Sequence, residues 1–290
     1  MNMGFLERSL AAIHRHKVWG WIGLLIYVPA VIFPHDTVQF YVNEIAMRFT
    51  HKRLYRGAAF GAEAIAVLLS MMLAWRIRRQ PERLTIGLAW SVTIFLMVGT
   101  WWGFMANNVE LVHFPQYFPE GLVLLALTTS PVESIAWATI FGGIDECFQY
   151  WFLVKGKPVP YDFNDIFMDL LGAAAGVAFG MTLLRTERRT GVAGWWKDVL
   201  KRPGILAIFG ALAAGIVMWA TGVMVLYEAA GAPRHWFSLS RQTNLPFWFS
   251  IGFLGPRTFH ELSPVEGPIL LLAALALYSL LDRRLKISSI

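Results

Sequence analysis

Long apolar runs separated by short basic segments set the rhythm of this chain. A helix that crosses a bilayer needs about 20 mostly apolar residues. Eight stretches meet that need: Val18–Phe33, Gly57–Trp75, Leu84–Met105, Val109–Leu127, Val132–Val154, Phe163–Leu184, Gly204–Tyr227 and Val265–Leu281. The first follows Arg15, His16 and Lys17, as a signal sequence does, but no small-x-small cleavage site comes after it. A retained anchor is therefore expected, kinked at Pro29. Between the first two spans, Val38, Val42, Ile45 and Phe49 recur at helical spacing opposite Glu44, Arg48 and Lys52. Over Asp36–Arg56 that pattern predicts a helix lying in the outer interface. Gly194-Trp195-Trp196-Lys197 reads as an inner interfacial anchor. The outer loop from Glu228 to Glu261 is aromatic, and its Pro246–Gly255 stretch is too short to span, so it is interfacial or re-entrant.

Composition agrees with this pattern. Of the 290 residues 56% are hydrophobic and 15% charged, with a mean hydropathy of +0.51. A soluble domain carries about 25% charged residues. A net charge of +6 on a soluble chain suggests nucleic acid. Here the arginines lie between apolar runs, which points to membrane topology and away from a nucleic-acid partner. With the N-terminus inside, the inner segments hold 16 of the 25 basic residues, as the positive-inside rule requires. The even span count returns the C-terminus to the same side. Cys147 is the single cysteine, which excludes an intrachain disulfide and any multi-thiolate metal site. The expected fold is all-α, polytopic, with about eight transmembrane helices, N-in and C-in.

Ionisable groups inside such spans cost about 2.5–3.5 kcal/mol each on insertion scales and demand a partner, water or a purpose. Three spans carry them near the outer face. In the fourth, Glu110, His113, Tyr117 and Glu120 form one helical stripe. In the fifth, Gly142, Glu146, Gln149 and Tyr150 share a face, with Asp145 beside them. The sixth opens Tyr161-Asp162-Phe163-Asn164-Asp165, and Asp162, Asp165, Asp169, Gly172 and Gly176 repeat at helical spacing. Asp162 or Asn164 equally suits a plain N-cap, whereas Asp169, two turns in, does not. Gly172, Gly176 and Gly180 form a small-xxx-small seam, most simply a helix-packing surface. Ser130-Pro131-Val132-Glu133 has capping-box spacing. Pro115 and Pro119 either kink the fourth helix or break its start. His35, His51, His235 and His260 are scattered outside and read as solvated or interfacial; Cys147 reads as a small packed residue.

At these stripes the chain resembles the VanZ-like family of bacterial membrane proteins. The likeness rests on His113-Phe114-x-x-Tyr117, on Glu146-x-x-Gln149, and on an aromatic-acid turn leading to Asp165-x-x-x-Asp169-x-x-Gly172-Ala173-x-x-Gly176. It covers about residues 84–184, leaving two N-terminal spans in 1–83 and two C-terminal spans with the aromatic loop in 185–290. The resemblance implies a VanZ-like four-helix core in a bacterial cytoplasmic membrane and a cell-envelope setting, since the family is associated with low-level teicoplanin resistance. Asp169 stands where the family usually has asparagine, and the family's arginine before the first acid is missing, with only Lys155 and Lys157 nearby. The site is therefore more acidic than the family pattern.

Three functions fit these residues. In the first, His113, Tyr117, Glu120, Glu146, Gln149, Tyr161, Asp162, Asn164, Asp165 and Asp169 bind a polar lipid headgroup, envelope precursor or glycopeptide from the outer leaflet. In the second, the chain is a subunit of a larger membrane complex, contacting other subunits through its outer spans. In the third it is an intramembrane enzyme acting on a lipid headgroup, with Glu146 or Asp169 as base and His113 as partner. No catalytic triad, metal-helix motif or phosphatase-type arginine cluster supports the third. One histidine among several carboxylates also admits a divalent cation. Membrane lipids are the partners common to all three, and no cofactor is specified.

Overall fold

A computed structural model describes residues 4–34, 51–78, 80–106, 108–153, 161–184, 186–189, 194–227, 237–240 and 258–287, with single positions between 37 and 48 and at 246–250. Of the described residues 78% are helical. Its helices are α1 (Phe5–Arg15), α2 (Lys17–Ile32), α3 (His51–Ile77), α4 (Arg83–Gly103), α5 (His113–Thr128), α6 (Pro131–Phe148), α7 (Phe163–Gly180), α8 (Trp195–Leu200), α9 (Pro203–Ala220) and α10 (Glu266–Arg284). A 3-10 turn, Asn108–Val112, leads into α5, and a π turn, Gln149–Leu153, ends α6.

Each of the eight apolar stretches is thus helical over most of its length. Among the described residues four helices are long and apolar enough to cross a membrane: Arg56–Ile77 within α3, α4, α7 and α9. The other four are short, with 16 residues each in α2 and α5, or charged at their ends. Helix α6 carries Glu133, Asp145 and Glu146; α10 carries Glu266, Asp282, Arg283 and Arg284.

The helical content is not complete. The stretch expected to finish the seventh span is instead strand β2 (Met224–Tyr227), because Gly222 takes a left-handed φ of 74° and stops α9. Strand β2 pairs in parallel with β3 (Phe237–Ser240). Strand β1 (Thr186–Arg188) pairs antiparallel with β4 (Leu285–Ile287), tying the end of α7 to the end of α10. The interfacial helix expected over 36–56 lies mostly outside the described residues, although its last turns belong to α3; so does most of 246–255.

Helix α7 is the centre of the molecule. Every residue of it except Asp165 is buried. Its inner run of glycine and alanine brings neighbouring backbones close: a Cβ on Gly176 would meet Phe118 O at 2.1 Å, and one on Gly172 would meet Phe114 O at 2.7 Å. From the other side, a Cβ on Gly121 of α5 would meet Ala173 O at 2.1 Å. Gly180 faces Leu122 and Leu125 side chains. Small residues here replace side-chain interdigitation with backbone contact, the means by which helices associate where no water is displaced. By contrast 94% of the α7 window is buried, against 6% for α3 and 11% for α9.

Polar contacts gather at the two ends of this bundle. At the end where α6 starts and α10 stops, Asp282 Oδ2 accepts from Val132 N (2.8 Å) and Arg202 lies 3.5 Å from Glu133. Ser130 Oγ caps α6 by accepting from Glu133 N, with Pro131 in the first turn. The Glu133 side chain pairs with Arg202, so only half of the expected capping box forms. Arg76 pairs with Glu7 at this same end.

Candidate functional site

The other end of the bundle holds the acids. The 3-10 turn delivers His113 to the first residue of α5, where Pro115 sits in the first turn and lacks no helical bond. The helix runs unbroken through Pro119 to Thr128, so the prolines do not split it. His113 and Tyr117 then face α7 and α6. Helix α7 enters from the opposite strand of the polypeptide, with Asp162 as its N-cap: Oδ1 accepts from Asn164 N (2.8 Å) and Asp165 N (3.4 Å).

His113 joins two acids of α7. Its Nδ1 is 2.8 Å from Asp169 Oδ1, and its Nε2 is 3.5 Å from Asp165 Oδ2. The imidazole and Asp169 are buried, while Asp165 keeps 17% of its side chain exposed. Asp169 Oδ2 has no hydrogen-bond partner among the described residues. It rests against α6 where Gly142 leaves room, since a Cβ there would lie 2.7 Å from it. This file, Asp165 to His113 to Asp169, runs from the bundle's edge to its interior. An imidazole between two carboxylates holds a proton on either nitrogen and passes one between them.

Glu146 forms the second group. Its Oε2 accepts from Asp162 N (3.1 Å) and its Oε1 from Gln149 Nε2 (2.8 Å). Tyr161 donates to Gly143 O (3.0 Å), and Tyr117 reaches Asp145 Oδ2 at 3.4 Å. Burial, then the charges of Asp165, Glu261 and Glu110, pushes the Asp162 carboxyl well above the ordinary carboxylate range. The structure therefore brings His113, Tyr117, Glu146, Gln149, Tyr161, Asp162, Asp165 and Asp169 to one end of α5, α6 and α7.

Two residues of the expected set do something else. Asn164 is fully committed as a tie: its Nδ2 donates to Phe104 O (2.8 Å) and His260 O (2.9 Å), and its Oδ1 accepts from Leu262 N (2.8 Å). Those bonds fasten α7 to the end of α4 and to the segment before α10, and leave no atom of that amide for a ligand. Glu120, one turn below Tyr117, lines a cavity on the α1–α2 side, and its Oε1 has no hydrogen-bond partner among the described residues.

His260 corrects another expectation. It is buried, not solvated: its ring stacks on Phe247 at 3.9 Å, its Nδ1 is 2.9 Å from Phe247 O, and its Nε2 is 3.3 Å from Glu266. Its flanking residues carry no helical periodicity, so nothing in the local sequence signals that packing. Cys147 is half-buried. Glu63 is exposed on α3. His35 and His235 lie outside the described residues. No group of three or more His, Cys, Asp or Glu side chains among the described residues is arranged to hold a metal ion.

Comparison with protein-family models, curated proteins and solved structures finds no match to this chain.

Proposed function

We propose that this is a multi-pass, VanZ-like protein of a bacterial cytoplasmic membrane, crossing it about eight times, that holds a polar envelope ligand at its acidic outer end. The ligand class is a lipid headgroup, envelope precursor or glycopeptide bearing amines and hydroxyls. One observation carries the reading. Glu146, Asp162, Asp165 and Asp169 share one end of three helices with a single imidazole, and no lysine or arginine among the described residues pairs with any of the four. Uncompensated carboxyl groups in a low-dielectric setting are costly. A ligand supplying positive charge or hydrogen-bond donors relieves that cost, with Asp165 at the accessible edge. The test is retention. The chain is purified from membranes in mild detergent and its bound small molecules are identified by native mass spectrometry, beside the Glu146→Gln, Asp169→Asn double variant. Loss of a specific adduct in an inserted double variant supports the site; an adduct retained unchanged rejects it.

A second reading, a subunit of a larger membrane complex, is favoured by the near-complete exposure of α3 and α9. Copurification of a stoichiometric second protein supports it, and a monodisperse monomer in mild detergent rejects it.

A further inference from the structure

A cavity of about 450 Å³ lies between α1–α2 and α5, with a wall almost wholly apolar. Trp19, Gly20, Gly23, Leu24 and Tyr27 of α2 face Pro119, Glu120 and Val123 of α5 across it. Two titratable side chains interrupt that wall, the exposed His16 and the buried Glu120. Glu120 is only 2% exposed, yet its Oε1 has no hydrogen-bond partner among the described residues. The one other hydroxyl beside it is already in use, because Tyr27 donates to Gln116 O. A buried polar atom without a partner costs far more than a satisfied one. An apolar chamber around one such acceptor has the composition of a ligand site in which a single polar group fixes orientation. Two features define the missing group. It donates hydrogen bonds, because Oε1 is an acceptor lacking a donor. It carries positive charge, because the rings of Trp19 and Tyr27 line the chamber beside the Glu120 carboxyl group. The remaining surface asks for an aliphatic body. Gly23 keeps the chamber open: a Cβ there meets nothing within 4 Å.

We infer that this chamber binds a lipophilic amine, its ammonium on Glu120 and its aliphatic chain along α2. The inference rests on the membrane placement proposed above but not on the outer acidic site. Photo-crosslinking of the full chain in phosphatidylcholine vesicles, with a long-chain primary amine bearing a diazirine, tests it. Saturable labelling of the peptides around Trp19–Tyr27 and Pro119–Val123 is expected, displaced by the plain alkylamine and about tenfold less well by the alkanol or alkanoate of equal length. Glu120→Gln removes the charge while keeping a polar side chain, and lowers saturable labelling by about tenfold. Gly23→Phe fills the chamber and abolishes labelling, while leaving untouched any molecule bound at the outer acids, so each reading fails separately. Labelling displaced equally by the alkanoate, or surviving both substitutions, overturns the proposal. Vesicles containing phosphatidylethanolamine distinguish the source. Suppressed labelling identifies an aminolipid, and unchanged labelling a free amine.

Discussion

Asn164 shows how far a single side chain can be misjudged from its neighbours. In the sequence it stands amid acids and aromatics, where an amide equally suits a ligand contact or a helix cap. In three dimensions it bonds to Phe104, His260 and Leu262, partners 60 to 98 residues away. No local pattern encodes such a contact. Asn164→Ala leaves those three backbone groups unsatisfied and is expected to cost about 3 kcal/mol, read as a lowered unfolding midpoint in detergent. Asp162 makes the opposite point, since spacing alone offered it, alongside Asn164, as a plain cap, and it is the cap. Its carboxyl pKa is raised on folding, so its ionised form weakens the native state. That penalty is absent below the unfolded pKa and grows as the pH rises through the interval up to the folded one. Asp162→Asn retains the cap without the charge. The variant should be more stable than the parent at neutral pH, and the gap should close on acidification. Thermal unfolding of both proteins across that range measures it.

Elements were easier to read than contacts. Apolar length placed a helix under each of the eight stretches, four of them long and apolar enough to cross a membrane among the described residues, because that signal needs no knowledge of partners. It could not show that α9 stops at Ala220, where Gly222 turns the chain into β2. Nor could it rank the helices by depth, since the more apolar α3 (mean hydropathy 1.8) is bare and the less apolar α7 (1.2) is enclosed. The glycine periodicity of α7 was the available clue. The α5–α7 contact turns that periodicity into a sharp expectation. Gly176→Ala places a methyl 2.1 Å from Phe118 O and must push two backbones apart, at a cost of about 3 kcal/mol or more. Gly61→Ala on α3 meets nothing within 4 Å and gains about 1 kcal/mol of helix propensity. Folded yield and thermal stability should therefore fall in the first variant and hold or rise in the second.

At the scale of the molecule, charge separates into two poles. The end carrying β1 and β4 pairs Arg76, Arg189 and Arg202 with Glu7, Asp198 and Glu133, whereas the opposite end sets acids around His113. The sequence carried this division in its distribution of arginines, but not the identity of the pairs. If the basic pole faces the cytoplasm, a cysteine introduced at Tyr227 in a Cys147→Ser background reacts with an impermeant maleimide in intact cells. One introduced at Glu187 reacts only after permeabilisation. The reverse pattern would invert the orientation and place the acidic site on the other face.

The pairing of β1 with β4 bears on how the protein is made. Its upper counterpart is the Asn164 tie to residues 260–262, so both ends of α7 are fastened by chain that emerges more than 75 residues after Gly180. A ribosome that has delivered α7 to the membrane has delivered a glycine-lined helix that still lacks its ties to His260, Leu262 and β4. Until Ile287 has been synthesised, the nascent protein offers that helix to chaperones and intramembrane proteases. Biogenesis, more than equilibrium unfolding, is where damage to the last helix should be felt first.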